Sequence, residues 1–234
     1  MTSRMTYILD YQYEPQVNCV FHRIGTPKGL RRWTEPKPTF GYTIAANIKE
    51  HDLRLFQDAI NIVSNIGHGF KPSNKLHCTL LSLRESSSEQ EIQTILCHTK
   101  DFFDRKSLRQ IKAIFDIIHP GKDNKYPKVS DNAVIALARV SHRSNRLFLA
   151  MIHELEDYLI QRTYPELIER HKTDTIWCTL GYFNEPQFKV DIDTYNAFNK
   201  LRSFSASIIF NEVIITKYRL KSLDDGQPLT KIKL

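Results

Sequence analysis

Two short stretches, one in each half of the chain, resemble each other and decide the expected fold. The first is Lys75-Leu-His-Cys-Thr-Leu-Leu-Ser-Leu83, and the second is Thr175-Ile-Trp-Cys-Thr-Leu-Gly-Tyr-Phe183. Their cores, His-Cys-Thr-Leu and Trp-Cys-Thr-Leu, differ at one of four positions. Both stretches are apolar runs of strand length, so the sequence predicts two matching strands at corresponding places in a duplicated chain.

Strand geometry sorts the side chains of each stretch onto two faces. Because successive side chains point to opposite sides of a strand, His77 and Thr79 share one face, and Cys78 lies on the other. In the second stretch, Trp177 and Thr179 share a face in the same way. We therefore expect the cysteines to pack under helices as small apolar residues. The two threonine-bearing faces are expected to line an open surface or a cleft.

The residues around the first stretch alternate between strand and helix patterns. Alternating apolar residues predict a strand over 40–48, and helical spacing of apolar residues predicts a helix over 53–63. Ser88 followed by Glu91 resembles a capping box at the start of a second helix. A run rich in Ile and Phe predicts a third strand over 110–118.

The second half of the chain repeats this order. Its predicted elements are, in sequence, a strand over 133–140, a helix over 148–159, a strand over 176–183, a helix over 192–201 and a strand over 206–216. The last strand is expected to bulge or bend near Asn211. Each half thus contains strand, helix, strand, helix and strand, which indicates an α+β protein of two similar lobes.

The length and composition of the chain bound its organisation. A chain of 234 residues forms one large domain or two small ones. We expect an N-terminal extension over 1–39, which is rich in Pro, Gly and basic residues, and a two-lobed domain over 40–234. The lobes are expected at about 40–120 and 131–220. With 41% apolar and 25% charged residues, the chain is of the globular class and is neither disordered nor fibrous.

Charge and cysteine content point to a class of partner and to a compartment. The chain has 33 Lys and Arg against 26 Asp and Glu, and a net charge of +7 favours nucleic acid or nucleotides as partners. The 4 cysteines lack the spacing of a zinc or redox site, so we expect reduced thiols in a cytoplasmic protein. No apolar run approaches the roughly 20 residues of a membrane span, so no membrane partner is expected.

The two motifs resemble the signature of the 2H phosphoesterase superfamily, which is a pair of His-x-Thr or His-x-Ser tripeptides on strands of two similar lobes. Bacterial 2'-5' RNA ligase-like proteins and cyclic nucleotide phosphodiesterases belong to it. The resemblance covers about residues 40–218, and it departs from the superfamily at Trp177, which holds the position of the second histidine. It implies an α+β fold of two lobes around a central cleft, each an antiparallel sheet with helices packed on its outer face.

The resemblance also implies roles for the motif residues. In the superfamily, two histidines act as general base and general acid on a phosphodiester, often a 2',3'-cyclic phosphate. Two hydroxyls hold phosphate oxygens, and no metal or other cofactor is needed. By this resemblance, His77 is one proton-transfer group, and Thr79 and Thr179 hold the phosphate. Trp177 does not shuttle protons near neutral pH. Trp177 is a candidate for stacking on a base, and core packing is its alternative. Tyr182 is a candidate substrate-binding residue that could contact an anion in the cleft.

Other residues are weaker candidates for the missing histidine or for anion binding. His171 begins another His-x-Thr, but in a polar stretch roughly 20 Å from Trp177 if extended, so it reaches the cleft only if the chain turns back. His142 follows a predicted strand in a loop-like position. Arg139 lies on that strand and could contact an anion. The remaining histidines, including His119, lack a motif, and we expect them on surfaces or helix faces.

Basic residues interleaved with aromatics form two further candidate sites. One surrounds Trp33, and the other runs from Lys217 through Tyr218 to Lys221; both suit a nucleic-acid backbone, and a solvated basic surface is the alternative. The most concrete expected function is binding of a 2',3'-cyclic phosphate or related small phosphodiester at an RNA end or nucleotide, and the sequence leaves open whether the bound phosphodiester is also hydrolysed. The alternatives are a catalytically inactive RNA- or nucleotide-binding relative and a protein-interaction adaptor. No obligate protein partner is inferred.

Overall fold

The computed structural model describes residues 41–66, 69–84, 88–106, 110–120, 133–169, 175–183, 192–218 and 226–234. Its helices are α1 (Glu50–Ser64), α2 (Glu89–Lys106), α3 (Arg143–Arg162) and α4 (Ile192–Lys200), with a 3-10 turn at Pro165–Leu167. Its strands are β1 (Gly41–Asn47), β2 (Phe70–Pro72), β3 (His77–Leu83), β4 (Ile111–Phe115), β5 (Ile117–Pro120), β6 (Ala133–Ala138), β7 (Ile168–Glu169), β8 (Ile176–Phe183), β9 (Ala206–Phe210), β10 (Glu212–Tyr218) and β11 (Gln227–Lys233). The N-terminal extension over 1–39 lies outside the described residues.

Nine of these strands form one antiparallel sheet whose main order is β11-β10-β1-β3-β8-β6-β5. In addition, β2 pairs with β8 and β7 pairs with β3, while β4 and β9 form a separate two-stranded sheet. The two sequence repeats meet at the centre of the large sheet, where Cys78 of β3 lies opposite Cys178 of β8. The predicted α+β class with antiparallel sheets is confirmed.

Each side of the large sheet contains strands from both halves of the sequence. On one side β1 pairs with β10, the strand near the end of the second half. On the other side β6 pairs with β5, which closes the first half. The short strands cross over as well, because β2 lies beside β8 and β7 lies beside β3. With the β4–β9 pair of the small sheet, five strand pairings besides the central one join the two halves of the chain within the described residues.

Two predicted strands each divide at a polar residue. The run over 206–216 bends at Asn211, as predicted, and becomes β9 and β10. The prediction of one strand over 110–118 is wrong, because the run divides at Asp116 into β4 and β5. The backbone N–H of Asp116 donates to the carbonyl of Leu137 at 3.0 Å, which directs the following residues toward β6 and away from β9.

The helices of the described residues pack against one face of the large sheet in a single hydrophobic core. The core joins buried side chains of all four helices with residues of both central strands; they include Phe56, Ile95, Leu155, Phe198, Cys78 and Cys178. The Ser88 hydroxyl accepts a hydrogen bond from the Glu91 N–H at 3.3 Å, which confirms the predicted cap of α2. Among the described helices, none is both long and apolar enough to cross a membrane.

Gly181 of β8 lies where β2 approaches most closely. A Cβ atom at Gly181 would overlap the Lys71 carbonyl oxygen and the Phe70 ring. We therefore expect Gly181→Ala to lower the free energy of unfolding by about 1–3 kcal/mol in urea titrations, because β2 must move away from β8. Gly41→Ala is the matched control, since its Cβ would meet only the end of the Tyr218 side chain, which can rotate. A loss at Gly41 as large as that at Gly181 would contradict this account.

Candidate active site

The central strands β3 and β8 bring the four predicted motif residues together. The register of the central cysteine pair places His77 opposite Thr179 and Thr79 opposite Trp177, because antiparallel partners run in opposite directions. On both strands the side chains next to the paired cysteines point to the face of the sheet opposite the cysteines. The four side chains therefore lie together on the face away from the helices, which we call the site face.

A matching β-bulge follows the threonine in each central strand. The pairing of β3 with β1 skips Leu80, and the pairing of β8 with β6 skips Leu180. An extra residue reverses the alternation of side chains beyond it. As a result, Ser82 and Tyr182 lie on the site face with the threonines that precede them. The two bulges stand at equivalent positions of the repeat, so the symmetry of the sequence is also present in the backbone.

The ring of His77 is held in one orientation by the backbone. The residue is 8% exposed, and its Nδ1 lies 3.0 Å from the Lys75 carbonyl oxygen. Because a carbonyl oxygen only accepts, Nδ1 is the protonated ring nitrogen and Nε2 is the basic one. A histidine in this tautomer is suited to accept a proton at Nε2.

Trp177 and Tyr182 border an apolar patch on the site face. Both are half-buried and pack against a small cluster on β5 and β6 formed by Ile117, Ala133, Ile135 and Leu137. In the register, Leu137 is opposite Trp177 and Ala133 is opposite Tyr182. The two aromatic rings therefore lie on the β6 side of the threonines and keep part of their surface exposed.

The two central cysteines lie on the opposite side of the sheet and take no part in the chemistry of the site face. Burial raises the pKa of the Cys178 thiol to about 12, although a hydrogen bond with the backbone of His77 lowers it in part. Burial also raises the pKa of Cys78 well above its usual value, and the neighbouring Cys178 adds to this. Both thiols stay protonated at neutral pH and are poor nucleophiles.

Arg139 and His142 belong to a separate cluster at the bend between β4 and β5. The buried Asp116 carboxylate accepts hydrogen bonds from Arg139 Nε at 3.0 Å and Nη2 at 2.6 Å, and His142 Nε2 lies 2.9 Å from it. Both side chains thus hold the bend at Asp116. Among the described residues, no group of three or more His, Cys, Asp or Glu side chains is placed to hold a metal ion.

His119 is a residue of the site face that the sequence analysis missed. It lies on β5 opposite Ile135, whose partner on β8 is Thr179. It is fully buried, so the expectation of a surface or helix-face position is wrong for this histidine. The predicted third strand ended one residue before it. His171 lies outside the described residues.

The two basic and aromatic clusters are described only in part. The residues around Trp33 lie outside the described range, as do Arg219 and Lys221. Lys217 is exposed on β10, with its ammonium 5.8 Å from the centre of the Tyr42 ring. This places it one strand beyond β1, so it is separated from the central strands.

Solved structures resemble the chain over most of its length, although no protein-family model and no curated protein matches its sequence. Usb1 of Kluyveromyces marxianus matches with a TM-score of 0.51 and 8% identity, over 85% of this chain and 100% of that one. E. coli LigT complexed with 3'-AMP matches with a TM-score of 0.54 and 12% identity, over 84% and 98%. A structure described as a phosphoesterase matches with a TM-score of 0.52 and 13% identity, over 83% and 98%.

These three proteins are 2H phosphoesterases, and each match spans nearly the whole of the known structure. Identities of 8% to 13% establish a shared arrangement of the chain. That arrangement is the one expected from the paired motifs, so the prediction is confirmed at the level of the fold. The chain has the fold of the 2H phosphoesterases.

Proposed function

We propose that the site face binds the phosphate end of RNA or of a nucleotide. In this proposal the hydroxyls of Thr79 and Thr179 donate hydrogen bonds to phosphate oxygens, and His77 transfers a proton. The observation that carries it is the register that brings two threonines and a histidine with a basic Nε2 onto one face. LigT, which has the same fold, has been solved in complex with 3'-AMP.

The proposed reaction is the hydrolysis of a 2',3'-cyclic phosphate. His77 Nε2 accepts a proton from water as the water oxygen attacks phosphorus. The threonine hydroxyls stabilise the negative charge that grows on the phosphate oxygens. The bond between phosphorus and one ribose oxygen then breaks, and that oxygen needs a proton. The leaving ribose oxygen receives this proton either from the protonated His77 or from solvent.

Trp177 makes this turnover slow. It occupies the position opposite Thr79, and its indole N–H donates a hydrogen bond but does not give up its proton near neutral pH. One missing general acid lowers a rate by about 10²- to 10⁴-fold. Trp177 also favours a second function, in which the protein binds its ligand without hydrolysing it. Stacking of a base on Trp177 or Tyr182 would contribute about 1–3 kcal/mol to such binding.

The proposed partner and compartment have support from charge and thiol state. A net charge of +7 suits an anionic ligand. Cys78 and Cys178 lie directly opposite each other and both are free thiols, which supports a reducing compartment, and we place the protein in the cytoplasm on this ground. A protein-interaction adaptor remains the third hypothesis, and it requires that no phosphate ligand binds.

Phosphate binding is tested by isothermal titration with 3'-AMP. We expect Thr179→Val to weaken binding at least about tenfold, because a hydrogen bond to a charged group contributes about 1.5–3 kcal/mol. Thr230→Val is the matched control, since Thr230 lies on β11, three strands away from β3, and should bind like the parent. Failure of the parent to bind, or equal binding by the Thr179 variant, would refute the proposal.

A further inference from the structure

The two short strands β2 and β7 occupy equivalent positions but carry opposite charges. Lys71 of β2 lies opposite Tyr182 of β8, and Glu169 of β7 lies opposite Ser82 of β3. Tyr182 and Ser82 each follow one of the matched bulges, so Lys71 and Glu169 are related by the same internal symmetry. Both are exposed. The two positions are therefore equivalent in the backbone but carry side chains of opposite charge.

Lys71 stands beside the proposed phosphate position. Tyr182 lies on the site face, so its direct partner Lys71 lies there as well. Along β8, the cross-strand pair Lys71 and Tyr182 is the next pair on the site face after His77 and Thr179. Successive pairs on one face of a sheet are roughly 7 Å apart. A lysine side chain can span most of this distance. Among the described residues, no acidic side chain pairs with Lys71.

The opposite end of the site face carries a carboxylate where the first end carries a lysine. Glu169 lies near Tyr218, and burial raises the pKa of that phenol, with the Glu169 carboxylate raising it further. Tyr218 therefore stays neutral at neutral pH. A second phosphate on a ligand bound between the threonines would be attracted toward the Lys71 ammonium at the other end.

We propose that Lys71 binds a second phosphate of the ligand. The proposal rests on the proposed function, because it takes the first phosphate to lie between Thr79 and Thr179. The second phosphate is the 5'-phosphate of the same nucleotide or the next phosphate of an RNA chain. The ligand class is thus a nucleotide or RNA end with at least two phosphates. The part of the ligand that carries the second phosphate lies over β2.

The test compares two ligands that differ by one phosphate, 3'-AMP and adenosine 3',5'-bisphosphate. We expect the parent to bind the bisphosphate at least about tenfold more tightly, and to lose more of that affinity as the salt concentration is raised, because salt screens the added charge pair. Lys71→Glu should remove both differences, so that the two ligands bind with about equal affinity and equal salt dependence. Lys71→Ala, which adds no negative charge, should remove most of the gain.

Lys112→Glu is the matched control for net charge, because Lys112 is an exposed lysine on β4, in the separate small sheet. It should keep the preference for the bisphosphate. Equal affinity of the parent for the two ligands would overturn the inference and leave the proposed function intact. So would an unchanged preference in both Lys71 variants, or its loss in Lys112→Glu. Absence of 3'-AMP binding in the parent would instead refute the proposed function.

Discussion

Trp177→His is expected to raise the metal-free turnover of 2',3'-cyclic nucleotides by about 10²- to 10⁴-fold. Trp177 lies opposite Thr79 on the site face, beside the proposed phosphate. A histidine at this position would protonate the ribose oxygen that leaves phosphorus while His77 takes the proton from water. The variant would then have a general acid and a general base, one on each central strand. Product formation from adenosine 2',3'-cyclic phosphate, followed by chromatography, measures the effect.

Two companion variants separate this mechanism from a mere change of shape. Trp177→Phe keeps an aromatic side chain but supplies no proton, so it should show no gain. The double variant Trp177→His with His77→Ala should lose the gain, and His77→Ala alone should lose the turnover of the parent. The pH profile of Trp177→His should be bell-shaped, because one histidine must be neutral and the other protonated. A gain that survives the loss of His77 would disprove the assigned roles.

Asn145→Ala is expected to lower the free energy of unfolding by about 3 kcal/mol, because it leaves three hydrogen bonds unmade. The side chain is fully buried at the start of α3. Its Nδ2 donates to the Ile114 carbonyl at 2.8 Å and to the Arg139 carbonyl at 2.7 Å, and its Oδ1 accepts from the Ile114 N–H at 2.8 Å. It thus joins the end of β4 to the end of β6, beside the bend at Asp116. Urea unfolding at neutral pH measures the loss.

Asn61→Ala provides the matched control for this substitution. Asn61 also lies on a helix and makes a side-chain hydrogen bond, from Gln57 Nε2 at 2.8 Å, but it is exposed. Its removal should change the free energy of unfolding by about 0.5 kcal/mol or less. Amide exchange should also become faster in β4 of the Asn145 variant, because the bonds to Ile114 are gone. A loss below about 1 kcal/mol for Asn145→Ala would contradict the role given to it.

The elements with a strong local pattern could be predicted from the sequence. The four helices and the central strands carry long runs with one period, and Ser88 marks the start of α2. The short strands β2 and β7 contain only 3 and 2 residues, so they have no period of their own. Their positions depend on partners distant in the chain. The break between β4 and β5 at Asp116 could not be predicted from the sequence either, because apolar residues continue on both sides of it.

The candidate site could likewise be predicted only in part from the sequence. Alternation along each strand was enough to place His77 with Thr79 and Trp177 with Thr179. Alternation alone would put Tyr182 on the face opposite Thr179, and only the bulge at Leu180 turns it back. Bulges depend on the pairing between strands, which a single sequence does not display. Lys71 was missed for a related reason, since its place on the site face follows from the register of β2 against β8.

The pairing of β1 with β10 has a consequence for synthesis on the ribosome. β10 follows β1 by more than half of the sequence, so it leaves the ribosome on the order of ten seconds or more later at usual rates of translation. Until then, one edge of β1 exposes the backbone groups of an apolar segment around Ile44 and Ala46, a form that invites pairing with other chains. The nascent chain therefore keeps this edge of β1 open until β10, a strand of its second half, has been made.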